Sequence, residues 1–264
     1  MLVLQDICKT FNAGTVNEKK ALQNINLHIR PGDFVTVIGG NGAGKSTLLN
    51  VVAGVLLCNA GSVVLDGQDI TWMPEHKRAA LLGRVFQDPM MGTAADIIIE
   101  ENLALAGRRG RGRGLRWEIT REERKDYYEK LKTLGLGLED RLQTKAGLLS
   151  GGQRQALTLL MATLVKPKLL LLDEHTAALD PKTAKRVLEL TQEIVTKDNL
   201  TTLMITHNMK DAIRVGNRLI MMYDGQIIYD VSGEEKMALH TADLMAKFES
   251  VSAGEFANDR MMLG

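Results

Sequence analysis

One stretch, Gly39, Gly40, Asn41, Gly42, Ala43, Gly44, Lys45, Ser46 and Thr47, limits the folds open to this chain more than any other. It follows the apolar run Phe34 to Ile38, which reads as a buried strand, and precedes Leu48 to Ala53, which reads as a helix. Strand, glycine loop and helix in that order are the setting of a phosphate-binding loop, and the spacing Gly39-x-x-x-x-Gly44-Lys45-Ser46 fits it. Glycine has no Cβ, so successive backbone N–H groups can turn inward around phosphate oxygens. The unpaired N–H groups and dipole of the following helix add positive potential at the same point. In such a loop Lys45 reaches the β- and γ-phosphates, and the Ser46 hydroxyl is a ligand of Mg²⁺. The plain alternative is a Gly-rich turn without a ligand, and the flanking strand and helix argue against it.

Around this loop the chain alternates strand and helix signals. Residues 2–7 and Ile25 to Ile29 alternate apolar and polar as strands, with the polar stretch Asn12 to Lys20 as a loop between them. Ser62 to Leu65 followed by Asp66-Gly67 reads as a hairpin, so an antiparallel β element lies beside the loop. Pro74 opens a short helix to about Leu82, and Arg84 to Gln87 reads as a strand ending in a polar residue. From about Asp88 to Gly147 helical signals dominate, with helix starts at Thr93-x-x-Asp96 and Thr120-x-x-Glu123. After Ser150 the alternation returns: a helix to about Val165, a strand from Lys168 to Asp173, a helix from Pro181 to about Lys197 and a strand from Leu200 to Ile205. A short helix to Val215 and a hairpin about Asp224-Gly225 follow.

This pattern predicts an α/β fold of the phosphate-loop NTPase kind, with a mostly parallel sheet, an antiparallel β subdomain and an inserted helical subdomain at about 88–165. Residues 1–231 form the one ATPase domain in this reading, and 232–264 a helical extension and tail. In that extension Met237, Leu244, Met245 and Phe248 fall on roughly one face, with a frayed tail after Ser250.

Composition excludes several classes. The 33 Lys and Arg nearly balance 32 Asp and Glu, so a net charge of +1 gives no argument for nucleic acid as a partner. No apolar run reaches the roughly 18 residues a membrane span needs, and the N-terminus lacks a signal-peptide pattern, which predicts a cytoplasmic chain. Cys8 and Cys58 lack metal-ligand spacing and read as reduced core thiols. The basic, glycine-spaced run from Arg108 to Trp117 reads first as a solvated connection, and second as a contact for an acidic surface or lipid headgroups.

Two further constellations carry chemistry. Leu169 to Leu172 deliver Asp173 and Glu174 to a strand end beside the phosphate loop, where Asp173 can hold the Mg²⁺ shell and Glu174 can orient or deprotonate a water. Leu149, Ser150, Gly151, Gly152 and Gln153 suit a helix start in which Ser150 and Gln153 make a capping box. Capping accounts for Ser and Gln but not for both glycines, which leave the backbone open to a second phosphate.

With Gln87, Ala178-Leu179-Asp180 and His207 after a strand, these motifs resemble the ATP-binding cassette ATPases in order and spacing across about residues 1–230. The resemblance implies a head-to-tail homodimer with ATP between the phosphate loop of one copy and the Ser150 loop of the other. It further implies that Phe11 stacks on adenine, Gln87 senses Mg²⁺ and the attacking water, Glu174 is the catalytic base, His207 contacts the γ-phosphate and Asp180 links the two sites. The sequence alone also allows core packing for Phe11, strand capping for Gln87 and a plain surface position for His207.

The chain departs from the family in having His175 where proline usually follows the glutamate. A histidine beside the γ-phosphate predicts modest pH sensitivity of turnover between about pH 6 and 7. The helix after Ser150 also lacks, at Ala156 to Ala162, a basic residue many relatives carry.

Without a membrane span, the resemblance implies the Mg²⁺-dependent ATPase subunit of a bacterial ABC transporter. Its partners are separate transmembrane permease subunits on the inner face of the membrane and an extracytoplasmic substrate-binding protein. From Glu100 to Leu149 the sequence is also similar to the ATPases of an uncharacterised import group associated with aromatic amino acids. The alternative is a soluble cassette ATPase without transport, such as an iron–sulfur assembly factor.

Overall fold

The computed structural model describes residues 1–110 and 119–262, of which 252–262 by backbone alone. The chain runs through β1 (Leu2–Phe11), β2 (Lys19–Ile29), β3 (Phe34–Gly39), α1 (Lys45–Ala53), β4 (Ala60–Leu65) and β5 (Gln68–Asp69). It continues through α2 (Glu75–Arg78), β6 (Leu82–Val85), α3 (Ile99–Gly107), α4 (Arg121–Lys132), α5 (Gly151–Leu164), β7 (Leu169–Asp173) and α6 (Pro181–Lys197). The last elements are β8 (Thr202–Ile205), α7 (Met209–Arg214), β9 (Arg218–Tyr223), β10 (Gln226–Ser232), α8 (Gly233–Met237) and α9 (Thr241–Met262).

Two sheets result. The first is antiparallel with strand order β2-β1-β4-β5, and the second has the order β10-β9-β3-β8-β7-β6. In the second, β6, β7, β8, β3 and β9 run parallel, and only β10 turns back against β9. Both hairpins fall where Asp-Gly predicts them: Asp66 and Gly67, like Asp224 and Gly225, have positive φ at both positions, as a tight two-residue turn needs.

The period-2 rule divides each central strand between two faces. Leu169 and Leu171 of β7 point into a core shared with α1 and the antiparallel sheet, together with Val35, Val37, Leu203 and Ile205. Leu170 and Leu172 point the other way, into a core filled by α3, α5 and α6. Four consecutive leucines are therefore a strand buried on both faces, as a parallel sheet requires. A third, smaller cluster joins Ile38, Leu219 and Met221 to Ala212 of α7 and Leu244 of α9. Arg78, 1% exposed, donates to the carbonyls of Val51 and Val52 and so closes the C-terminal end of α1.

Several sequence expectations shift. Thr120 and Glu123 form the predicted capping box at the start of α4, but no helix starts at Thr93. The helix there begins at Ile99, after an N-cap, Ile98, whose amide donates to Glu101. The helix after Pro74 ends at Arg78 rather than near Leu82, because the chain enters β6. In the C-terminal extension Leu244 is fully buried while Met237 and Met245 stand exposed, so the four residues do not share a face. Met237 belongs to a separate helix, and α9 continues through Met262 where a tail was expected after Ser250. Of the basic run, Arg111, Arg113, Arg116 and Trp117 lie outside the described residues. Arg109 turns inward and donates to the carbonyls of Ala162 and Val165 at the end of α5, so it closes a helix rather than offering charge to a partner. Among the described residues no helix is long and apolar enough to cross a membrane.

Candidate nucleotide site

The phosphate loop leaves β3 and winds into α1 through Gly44, whose φ of 97° lies in the left-handed region. A Cβ at Gly44 would stand 2.5 Å from the carbonyl oxygen of Ala21, so the position requires glycine on both counts. Lys45 is buried, and its ammonium donates to the carbonyls of Gly39 (2.8 Å) and Gly40 (3.0 Å), folding the loop around its own lysine. Burial pulls the Lys45 pKa below the usual lysine value, and the carboxylates of Glu174 and then Asp173 push it back. Ser46 at the mouth of the loop is exposed.

A cleft of about 230 Å³ is lined by this loop from Asn41 to Thr47 together with Phe11, Lys19, Ala21 and Glu174. Phe11, at the end of β1, is half-buried with the Lys9 ammonium 5.5 Å from its ring centre. Lys19 was missed by sequence reasoning. Its ammonium lies 3.3 Å from where a Cβ of Gly42 would be, and only the closure of the β1–β2 hairpin brings it there.

The register of β7 on β8 sets the second group of residues. Asp173 pairs with Ile205, and the amide of Glu174 donates to the Ile205 carbonyl at 3.0 Å. His207 follows β8 directly, so its Nδ1 comes within 3.5 Å of Glu174 Oε2. Glu174 has φ of 44°, a left-handed conformation that costs a non-glycine residue on the order of 1 kcal/mol. That turn aims the Glu174 side chain at the phosphate loop. Burial raises the pKa of Asp173; Arg84 opposes the rise most, Glu174 adds to it and Lys45 opposes it less.

The same turn sends His175 the other way, which corrects the expectation of a titrating group beside the γ-phosphate. Its side chain is 2% exposed and its Nε2 lies 3.0 Å from Thr191 Oγ1 on α6. Thr191 donates its own hydroxyl proton to the Val187 carbonyl, so the hydroxyl oxygen accepts and Nε2 of His175 carries the proton. Burial pushes the His175 pKa down to about 4, so it stays neutral between pH 6 and 7.

Gln87 lies exposed two residues past β6, and with Asp173, Arg84, Phe86 and Asn50 it lines an adjoining cleft of about 690 Å³. Ser150, Gly151, Gly152 and Gln153 line neither cleft. Ser150 caps α5 and Gln153 completes the capping box, at 3.3 and 3.2 Å. Gly152 has a packing reason of its own, since a Cβ there would lie 2.0 Å from the Thr183 methyl of α6. Asp180 caps α6, accepting from the Thr183 amide at 3.1 Å.

Among the described residues no cluster of three His, Cys, Asp or Glu could hold a metal alone. One carboxylate and one hydroxyl, Asp173 and Ser46, suit Mg²⁺, which takes few protein oxygens and completes its shell with phosphates and water.

Comparison with known proteins identifies the family of this fold. Residues 22–177, more than half of the chain, match the family model described as ABC transporter. A tyrosine transport ATP-binding protein of Clostridioides difficile (strain R20291) is 43% identical over 249 residues, covering 94% of this chain and 99% of that protein. A methionine import ATP-binding protein of Streptococcus pneumoniae serotype 4 is 34% identical over 251 residues, covering 91% of this chain and 68% of that protein. Among solved structures, the dimeric ATP-binding cassette MJ0796 bound to ADP and Pi superposes with a TM-score of 0.75 at 30% identity, covering 88% of this chain and 98% of that one. A phosphate loop between β3 and α1, a carboxylate pair at the end of β7 and a histidine after β8 thus sit on a shared fold, and the chain belongs to the ABC transporter family of ATP-binding proteins.

Proposed function

We propose that this chain binds and hydrolyses ATP as the energy-supplying subunit of an importer whose membrane-spanning permease is a separate chain. One observation carries the reading: Lys45 and Glu174, distant in sequence, line one cleft at the phosphate loop with His207 beside Glu174, while no residue of the Ser150 motif lines that cleft. A site divided in this way is completed by a second copy in head-to-tail arrangement, with Ser150, Gly151, Gly152 and Gln153 of one copy facing the loop of the other.

The loop from Gly39 to Thr47 then cradles the phosphates, Phe11 stacks on adenine and Lys45 exchanges the Gly39 and Gly40 carbonyls for phosphate oxygens. Glu174 accepts the proton of the attacking water, Gln87 orients that water and His207 contacts the γ-phosphate. Such a site works by positioning and by fixed charge rather than by covalent chemistry. Ser46, Asp173 and Gln87 are the residues that would hold Mg²⁺, which supplies positive charge to the phosphates. Residues 1–231 act as the ATPase domain in this reading, with the helical part at about 88–165, and 232–264 as an extension. Tighter binding of ATP to the closed dimer is what drives the permease. The 43% identical relative transports tyrosine by its name, which supports an aromatic amino acid as cargo and a substrate-binding protein outside the membrane as a further partner.

The reading is tested by tagging the chain in its own cell and purifying it from detergent-extracted membranes. Co-purification of a chain with several membrane spans supports it. Recovery with a soluble scaffold that stimulates ATP hydrolysis overturns it in favour of a non-transport ATPase.

A further inference from the structure

We propose that Arg84 is a resident counter-ion of Asp173, holding that carboxylate in place without a metal and opposing the metal when one binds. The proposal rests on the reading of Asp173 as a metal-site residue. Arg84 stands on β6 opposite Leu171, two residues before Asp173 on β7. Its Nη2 lies 3.8 Å from Asp173 Oδ2 and donates to Asn50 Oδ1 on α1 at 2.7 Å. The Phe86 ring lies against the guanidinium, with its centre 4.6 Å away. Both charged side chains are only 16% exposed.

A surface ion pair of two free side chains is worth little, because each must be ordered to make it. Arg84 is different in being held from two other elements, α1 and β7, and by a neighbour in its own sequence. Asn50 fixes the guanidinium from α1, Phe86 covers its face, and Asp173 takes the charge. Asn50 sits one helical turn after Ser46, so the same helix that offers the hydroxyl to the metal also fixes the cation that competes with it. An arginine cannot lose its proton to relieve that competition. In the metal-free chain Arg84 is the stronger of two cations, with Lys45, that offset the buried Asp173 carboxylate. In the loaded chain it is a fixed positive charge next to a ligand, which lowers metal affinity and eases metal exchange. Sequence reasoning gave no reason to single out this arginine, because its role depends on the β6–β7 register.

The test is a titration of Mn²⁺, followed by electron paramagnetic resonance, into the full chain saturated with a non-hydrolysable ATP analogue. Arg84→Met is expected to tighten Mn²⁺ binding by roughly tenfold, and Arg84→Lys to stay within about twofold of the parent. In the absence of metal and nucleotide, Arg84→Met should lower the melting temperature more in the parent than in an Asp173→Asn background, where the ion pair is already broken and only the Asn50 and Phe86 contacts are lost. Should Arg84→Met fail to fold, Arg84→Gln, which keeps a donor for Asn50, gives the same comparison. Mn²⁺ binding no tighter without the charge, or an equal loss of melting temperature in both backgrounds, overturns the proposal. If Asp173→Asn alone binds Mn²⁺ as the parent does, it is the reading of Asp173 as a ligand that fails.

Discussion

Replacing His175 with glutamine separates two accounts of that histidine by more than their signs. Folded, His175 keeps its neutral form down to about pH 4, against 6.5 for a free histidine. The unfolded chain therefore takes up a proton below pH 6.5 that the folded chain refuses, and stability falls as pH drops from 6.5 towards 4. At about 1.4 kcal/mol per pH unit, the interval represents about 3 kcal/mol, fully present above pH 6.5. The side chain is 2% exposed, so solvent screening takes little of it. For a chain of this size the loss corresponds to roughly 6–12 °C in melting temperature. His175→Gln keeps a donor for Thr191 but cannot titrate. Urea unfolding of both proteins at pH 7.5, 6.5, 5.5 and 4.5 reads the difference, in which carboxylates common to both cancel. Variant and parent should converge as pH falls, and the pH profile of ATP turnover between 6 and 7 should be unchanged by the substitution. Parallel stability curves, or a turnover profile that shifts with the substitution, would refute a buried neutral His175.

Lys45→Ala removes the ammonium proposed to meet the phosphates. ATP affinity by calorimetric titration should fall roughly 10- to 100-fold, the worth of a charge-assisted hydrogen bond; unchanged affinity contradicts the loop assignment. Gly152→Ala forces a Cβ to within 2.0 Å of the Thr183 methyl and should cost about 1–3 kcal/mol in urea unfolding. Thr183→Ser, which removes that methyl, should restore most of the loss; no rescue would mean that the α5–α6 contact is not why glycine is there.

Much of the site was legible because its signals are local. The Gly39–Thr47 spacing, the Asp66-Gly67 and Asp224-Gly225 turns and the Thr120–Glu123 capping box each fix backbone geometry within a few residues. What failed depended on contacts the sequence does not display. His175 looked functional by adjacency to Glu174, and only the left-handed turn at Glu174 shows that the two side chains part. Thr93 looked like a helix start, whereas the real start at Ile98 has an apolar side chain that no capping rule selects. Gly152 looked like an opening for phosphate, and the approach of α6 gives it a second reason. Lys19 and Arg84 reach the site only through strand register, which length and composition leave unspecified.

The proposed divided site closes on ATP between two copies. Glu174→Gln removes the proposed base while leaving the loop intact, so ATP should bind without being turned over. Light scattering on that variant with Mg²⁺ and ATP should give the mass of two chains, with two ATP bound per pair, and of one chain when nucleotide is withdrawn. A single chain carrying ATP at the same concentrations, or hydrolysis at the parent rate, would contradict it.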